Sequence, residues 1–164
     1  EKIKKEIKDK NLLPASISLI LAKRKANSIS KTKKNELVVG ADTVIETNKK
    51  LLNKAKNIND AKKKLRALSG KTNIIFSSAA VYFNEKLVWS ATQKTSVKIR
   101  KLKKNEIDQY LKNTEKDILL SVGCFQIEKD GPNIIEKIYG DFFNVMGFPL
   151  FPFLKFLKTF NIKR

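Results

Sequence analysis

The feature that most constrains this chain is a pair of β-rich runs at its centre. Thr72 to Phe83 and Lys86 to Ile99 are dense in β-branched and aromatic residues, and only Asn84-Glu85 stands between them. Two such runs around a two-residue turn predict a long hairpin. On its N-terminal side, Ser16 to Ser30 reads as a helix with Ile17, Ile20, Leu21 and Ala22 on one face. Glu36 to Gly40 is a short apolar strand running into Ala41 to Ile45, a polar turn or a second strand. Asp60 is placed to cap a helix from Ala61 to Leu68, which Gly70 ends. Beyond the hairpin, Lys104 to Lys112 is helical. Asp117 to Leu120 and Ile134 to Ile138 are expected as short strands around a glycine-containing loop. Leu150, Phe153, Leu154 and Leu157 mark an amphipathic closing helix. Helices alternating with strands around a central hairpin give an α/β class with a mixed sheet. The 164 residues, 41% of them apolar, suit one domain spanning residues 1–164.

Composition narrows the chemistry. The chain has no His and one Cys, Cys124. That excludes a Ser-His-Asp or Cys-His nucleophile, a His-ligated zinc and an imidazole proton shuttle. A lone Cys makes no intramolecular disulfide, which fits a reducing, cytoplasmic compartment. Any reaction falls to carboxylates, lysines, hydroxyls and a hard metal ion.

The net charge is +19, from 35 Lys+Arg against 16 Asp+Glu. Only Arg24, Arg66, Arg100 and Arg164 are arginine, and the lysines are spread over nearly every segment. Nucleic-acid readers favour arginine forks interleaved with stacking aromatics, and no such stretch is present. Solvated lysine faces therefore outweigh a specific nucleic-acid partner, and a basic nucleic-acid-binding module is the runner-up. The longest apolar run, Gly147 to Leu154, is too short to span a bilayer and holds two prolines, so no membrane partner is expected.

Three segments carry candidate chemistry. Asp42 follows an apolar strand at its carboxyl end, where open α/β sheets place ligands, and a carboxylate there can hold a cation or deprotonate water. On pattern alone, capping a turn fits Asp42 better. Leu120 to Gly131 sets Gln126 and Glu128 among glycines but matches no standard phosphate loop. Gly140 to Leu150 puts Asp141 and Asn144 among aromatics, where a capped helix entry also fits.

Taken together, these segments resemble the Maf family of nucleoside triphosphate pyrophosphatases. The matching stretches are Val39-Gly-Ala-Asp-Thr-Val44, Leu68-Ser-Gly70, Gly123 through Gly131, and Gly140-Asp-Phe-Phe-Asn-Val-Met-Gly-Phe-Pro-Leu150. They occur in order from about Leu21 to Leu157. The resemblance implies an elongated α/β fold, its sheet flanked by helices and its site in a cleft between two lobes. It implies hydrolysis of a nucleoside triphosphate, canonical or modified in its base, between the α- and β-phosphates. The products are monophosphate and pyrophosphate, and the cofactor a divalent cation, Mg²⁺ or Mn²⁺. Asp42 takes the place of the family's general-base aspartate. Lys25 and Lys54 take those of two phosphate-facing lysines, and the resemblance makes Glu1 a second metal-binding carboxylate beside Asp42. A homodimer is compatible with this reading. The family's N-terminal SxSxxR phosphate loop is expected upstream of Glu1, which makes the chain a truncated form whose own activity would suffer, and a catalytically inactive family member is the third reading. Base selectivity is mixed. Relatives acting on dTTP and UTP pair Thr with Gln at two positions, and those acting on 7-methyl-GTP have Gln and Glu. Here these positions hold Thr43 and Glu128. A carboxylate accepts hydrogen bonds only, which suits the donor edge of guanine and not uracil O4.

Overall fold

The computed structural model describes residues 12–114 and 116–160. The elements run α1 (Pro14–Ser30), β1 (Leu37–Thr47), β2 (Lys50–Leu51), α2 (Ile58–Leu68), β3 (Thr72–Phe83), β4 (Lys86–Ile99) and α3 (Lys104–Asn113). A 3₁₀ turn at Lys116–Leu120 and another at Gly131–Asn133 lead to β5 (Ile135–Tyr139), α4 (Phe142–Met146) and α5 (Leu150–Thr159). The strands form one sheet in the order β2-β1-β3-β4-β5.

Strand direction follows from the contacts. β1 pairs antiparallel with β2 through Glu46↔Leu51 and Thr47↔Lys50. At the start of β1, the Asn35 amide donates to Asn84 Oδ1 at the end of β3. Further along, Thr43 meets Ser77, so β1 and β3 run in opposite directions. The Asn84-Glu85 turn, with both residues at positive φ (47° and 65°), reverses β3 into β4. β4 then pairs antiparallel with β5, with an irregularity at Lys98/Ile99. The α/β class with a helix-flanked sheet is as expected, and its strands are antiparallel, a narrower arrangement than the mixed sheet read from the sequence. Two-residue turns join β1 to β2 and β3 to β4, whereas α2 lies between β2 and β3, and α3 with the two 3₁₀ turns lies between β4 and β5.

Three local readings change. Leu37 to Thr47 is one continuous strand. The cap of α2 is Asn57, whose side chain accepts from the Asp60 amide, and Asp60 in turn accepts from the Lys56 amide at 3.0 Å. The helix therefore starts three residues earlier than Asp60 suggested, through a reciprocal cap. Lys116–Leu120 is a 3₁₀ turn and not a strand.

The chain divides into two compact units. The first holds the described residues 12–43, 76–93 and 147–160. There Ile17, Leu21, Ala22 and Ala26 of α1 are buried, as are Ala79, Ala80 and Val81 of β3. A hydroxyl series joins Ser18, Ser78 and Thr92 by two 2.7 Å contacts. Trp89 stacks on Phe156 with centroids 5.3 Å apart, and Phe153 packs on Trp89 and Phe148. The second unit holds residues 44–75 and 94–146. Its core is aliphatic, built from Ile45, Leu65, Leu68, Ile75, Val97, Ile99 and Ile107 with Phe125 and Ile134. Lys62 of α2 and Asp108 of α3 close an ion pair of 2.6 Å over this core.

Candidate active site

In a strand, residues two apart share a face. Gly40 and Asp42 of β1 thus point the same way, and α1 lies on that side. A Cβ on Gly40 would stand 2.5 Å from both the Ala22 carbonyl oxygen and the Ala26 amide nitrogen. Only glycine on the strand, facing alanines four apart on the helix, permits this approach. Lys25, the residue before Ala26, is thereby brought over Asp42. Its Nζ lies 2.6 Å from Asp42 Oδ1 and donates also to the Ala41 carbonyl at 2.9 Å. The Lys25 side chain is 58% exposed and that of Asp42 11%. The second carboxylate oxygen, Oδ2, is buried and has no hydrogen-bond partner among the described residues.

Thr43 belongs to the opposite face of β1. Its Oγ1 donates to the Gly147 carbonyl at 3.3 Å and lies 3.0 Å from Ser77 Oγ. In the contact with Ser77 either hydroxyl can be the donor. Gly147, at φ +108°, has space for its bond to Thr43 because a Cβ there would sit 3.2 Å from the Thr43 hydroxyl.

Lys25 and Asp42 are therefore brought together in the first unit, with Thr43 on the other face of the same strand. Lys54 and Glu128 belong to the second. Lys54 follows β2 and is exposed. Glu128 is exposed in the turn before Gly131, where the Gly131 amide bonds the Gln126 carbonyl at 2.8 Å. A Cβ on Gly131 would stand 2.5 Å from that same oxygen, so the turn depends on glycine. Glu1, expected as a metal ligand, lies outside the described residues.

Asp141 and Asn144 turn out to shape the backbone. Thr95 Oγ1 donates to the Asp141 carbonyl and accepts from the Asp141 amide and from Asn144 Nδ2. Asp141 Oδ1 caps α4 by accepting from the Phe143 amide at 2.7 Å. The sequence reading did not single out Gly40, Ser77 and Gly147. For Gly40 a signal existed, the small residues Ala22 and Ala26 spaced one helical turn apart. Ser77 and Gly147 had none.

A carboxylate with one oxygen held by an ammonium and the other unengaged can accept a proton or ligate a hard cation. Among the described residues no group of three His, Cys, Asp or Glu side chains could hold a metal. The donor set at Asp42 thus fits a cation that takes one carboxylate oxygen here and completes its shell with water and substrate phosphates, as Mg²⁺ does.

Comparison with known proteins gives the chain a family. The Maf-like protein family matches residues 1–160, and the chain belongs to it. A 7-methyl-GTP pyrophosphatase of Bartonella henselae is 36% identical over 98% of this chain and 80% of its own length. A nucleoside triphosphate pyrophosphatase of Caulobacter vibrioides is 31% identical, over 90% of the chain and 74% of its own length. A dTTP/UTP pyrophosphatase of Bacillus cereus is 33% identical, over 91% and 76%. Among the described residues no helix is long and apolar enough to cross a membrane.

Proposed function

We propose that the protein is a nucleoside triphosphate pyrophosphatase, a hydrolase acting on an acid anhydride, with Asp42 as its general base. The observation that carries the reading is the divided role of the Asp42 carboxylate, Oδ1 on Lys25 and Oδ2 unpartnered. Membership of the Maf-like family and the names of its relatives support the substrate class. Asp42 takes a proton from water as the water oxygen bonds to phosphorus. The P–O bond between the α- and β-phosphates breaks, leaving monophosphate and pyrophosphate. Lys25 holds the carboxylate in place and, with Lys54, offsets charge on the phosphates. A Mg²⁺ or Mn²⁺ ion would be held at Asp42, with Glu1 as a second ligand, and would supply charge neutralisation and a more acidic water.

The base follows from hydrogen-bond capacity. Glu128, as a carboxylate, can only accept. Guanine presents adjacent donors at N1 and N2, whereas uracil and thymine present one donor between two acceptors. A guanine nucleotide, methylated or not, is the substrate this carboxylate prefers.

The test is a turnover assay of the purified protein. With Mg²⁺ or Mn²⁺ the protein should release pyrophosphate, not orthophosphate, from GTP or 7-methyl-GTP, with kcat/KM above that for UTP and dTTP. Asp42→Asn should lower turnover by about 10²–10⁴, the usual contribution of a positioned base, at unchanged melting temperature. Glu128→Gln should move preference towards UTP. No pyrophosphate from any member of a canonical and methylated panel would remove the enzyme reading.

A further inference from the structure

The Lys25 ammonium does more than hold a carboxylate in place. It bridges two oxygens of β1, Asp42 Oδ1 at 2.6 Å and the Ala41 carbonyl at 2.9 Å. A carboxylate and a backbone carbonyl are both hard oxygen donors of the kind that ligate Mg²⁺ or Mn²⁺. Here two such oxygens converge on one positive atom, so Lys25 Nζ stands where a hard cation would be held.

The same geometry closes the carboxylate to any other cation. Mg²⁺ lies about 2.0–2.1 Å from its oxygens, and it cannot share Oδ1 and the Ala41 carbonyl with an ammonium already between them. Oδ2 offers no way round, because it is buried. Two positive charges on one carboxylate also repel each other. Lysine and metal ion are therefore alternative partners of Asp42, and the lysine is the one equipped to leave. Its side chain is 58% exposed against 11% for Asp42, and it carries a point charge on a flexible four-carbon stem. An ion pair with one partner this open to solvent is held only weakly.

We propose that Lys25 is a displaceable counter-ion: it occupies the cation position between Asp42 Oδ1 and the Ala41 carbonyl until a nucleotide binds, then passes to the phosphates and yields that position to the divalent ion. This rests on Asp42 as the metal-binding carboxylate and adds the Ala41 carbonyl as a second ligand atom. A polyphosphate is the partner that can draw the lysine off, because it offers more negative charge than the single carboxylate does. By linkage, whatever holds Lys25 elsewhere strengthens cation binding at Asp42, and the cation strengthens that hold equally.

Titration calorimetry of the protein with MnCl₂, in the absence of nucleotide, tests it. Lys25→Met keeps most of the stem and removes the charge, and it should bind Mn²⁺ at least about tenfold more tightly than wild type, as removal of a like charge at contact distance predicts. Adding Asp42→Asn should abolish that gain. Lys31→Met, at the exposed C-terminal cap of the same helix, should show none. In the turnover assay Lys25→Met should raise KM for the nucleotide, so the two affinities move in opposite directions. Melting temperatures establish that the variants are folded, and Lys25→Gln replaces Lys25→Met if the latter is not. Unchanged Mn²⁺ affinity in Lys25→Met, an equal gain in Lys31→Met, a gain that survives Asp42→Asn, or a wild-type KM would overturn the proposal. Failure of the enzyme reading shows itself separately, as no turnover of any nucleotide by wild type, and the Mn²⁺ titrations then decide the exchange at Asp42 alone.

Discussion

Residues 12–43, 76–93 and 147–160 bury small and hydroxyl-bearing side chains next to a charged pair, whereas residues 44–75 and 94–146 bury aliphatic ones. In the first unit, the ion pair exists because Gly40, Ala22 and Ala26 carry almost no side chain. Ser18, Ser78, Thr92, Ser77 and Thr43 then satisfy one another's hydroxyls. In the second, Leu65, Leu68, Ile75, Val97 and Ile99 are at most 1% exposed and form one continuous core. Close backbone approach places a functional carboxylate accurately but buries little apolar area. Aliphatic packing does the reverse, at roughly 25 cal/mol for each Å² removed from water. Stability and chemistry are thus concentrated in different parts of the chain, and the two should respond to different substitutions.

The largest effect on stability is expected at Leu65. It is fully buried in the second unit, so Leu65→Ala should cost about 2–5 kcal/mol through lost burial and a residual cavity. Urea unfolding measures this loss. The kcat of the fraction that remains folded should be close to wild type, and a fall in kcat as large as that of Asp42→Asn would dissolve the contrast between the units.

Gly40→Ala should do the opposite. The new Cβ would lie 2.5 Å from two backbone atoms of α1, and helix and strand must separate. Overpacking of this kind costs about 1–3 kcal/mol, less than Leu65→Ala. Separation also moves Lys25 off Asp42, so kcat should fall by more than in the less stable Leu65 variant. Wild-type kcat in Gly40→Ala would show that the close approach is not what positions the pair.

Thr95→Val is next in size. Its hydroxyl makes one donor and two acceptor contacts with Asp141 and Asn144. Valine keeps the shape and leaves the fully buried Asn144 without that bond, at about 1–3 kcal/mol. The loss should appear in the melting temperature, while Thr43 and Gly147, in the other unit, keep their bond. If Thr95→Val altered base preference without altering stability, Asn144 would belong to the site and not to the scaffold.

How much of this was legible beforehand depends on the range of the interactions concerned. The hairpin bounds, Thr72–Phe83 and Lys86–Ile99, follow from local composition and a two-residue turn, and the structure has the same bounds. The helices Pro14–Ser30, Lys104–Asn113 and Leu150–Thr159 likewise follow from periodicity to within two residues at each end. Two competing caps a few residues apart, Asn57 and Asp60, cannot be ranked without knowing which amides they reach. The 3₁₀ turn at Lys116–Leu120 looks like a strand because Ile118, Leu119 and Leu120 are a short apolar run, and such runs carry no period. At the site, Asp42 was marked by its place after an apolar strand and Lys25 and Thr43 by resemblance, but the geometry of Lys25 on Asp42 depends on Gly40, which only matters once α1 and β1 are in contact. Thr95 was invisible because its partners lie 46 and 49 residues away.

The smallest effect concerns acid stability, and it again separates the units. Asp60, Glu106 and Asp108, all in the second, have carboxyls held below their ordinary values of 3.8, 4.5 and 3.8. The main causes are the Lys56 amide on Asp60, the Lys103 amide followed by Arg100 on Glu106, and the Lys62 ammonium on Asp108. A carboxyl whose folded pKa lies below its unfolded one adds stability that is complete above the unfolded value. That stability disappears as pH falls through the folded value. The melting temperature should accordingly hold from pH 7 to about pH 5 and decline below about pH 4.5. Each group is solvent-facing, so each contribution is small and salt-sensitive. Asp108→Asn removes one of the three, and the drop in melting temperature between pH 6 and pH 3 should shrink relative to wild type. If the drop were unchanged in a triple Asp60→Asn, Glu106→Gln, Asp108→Asn variant, acid sensitivity would have to originate outside the aliphatic unit.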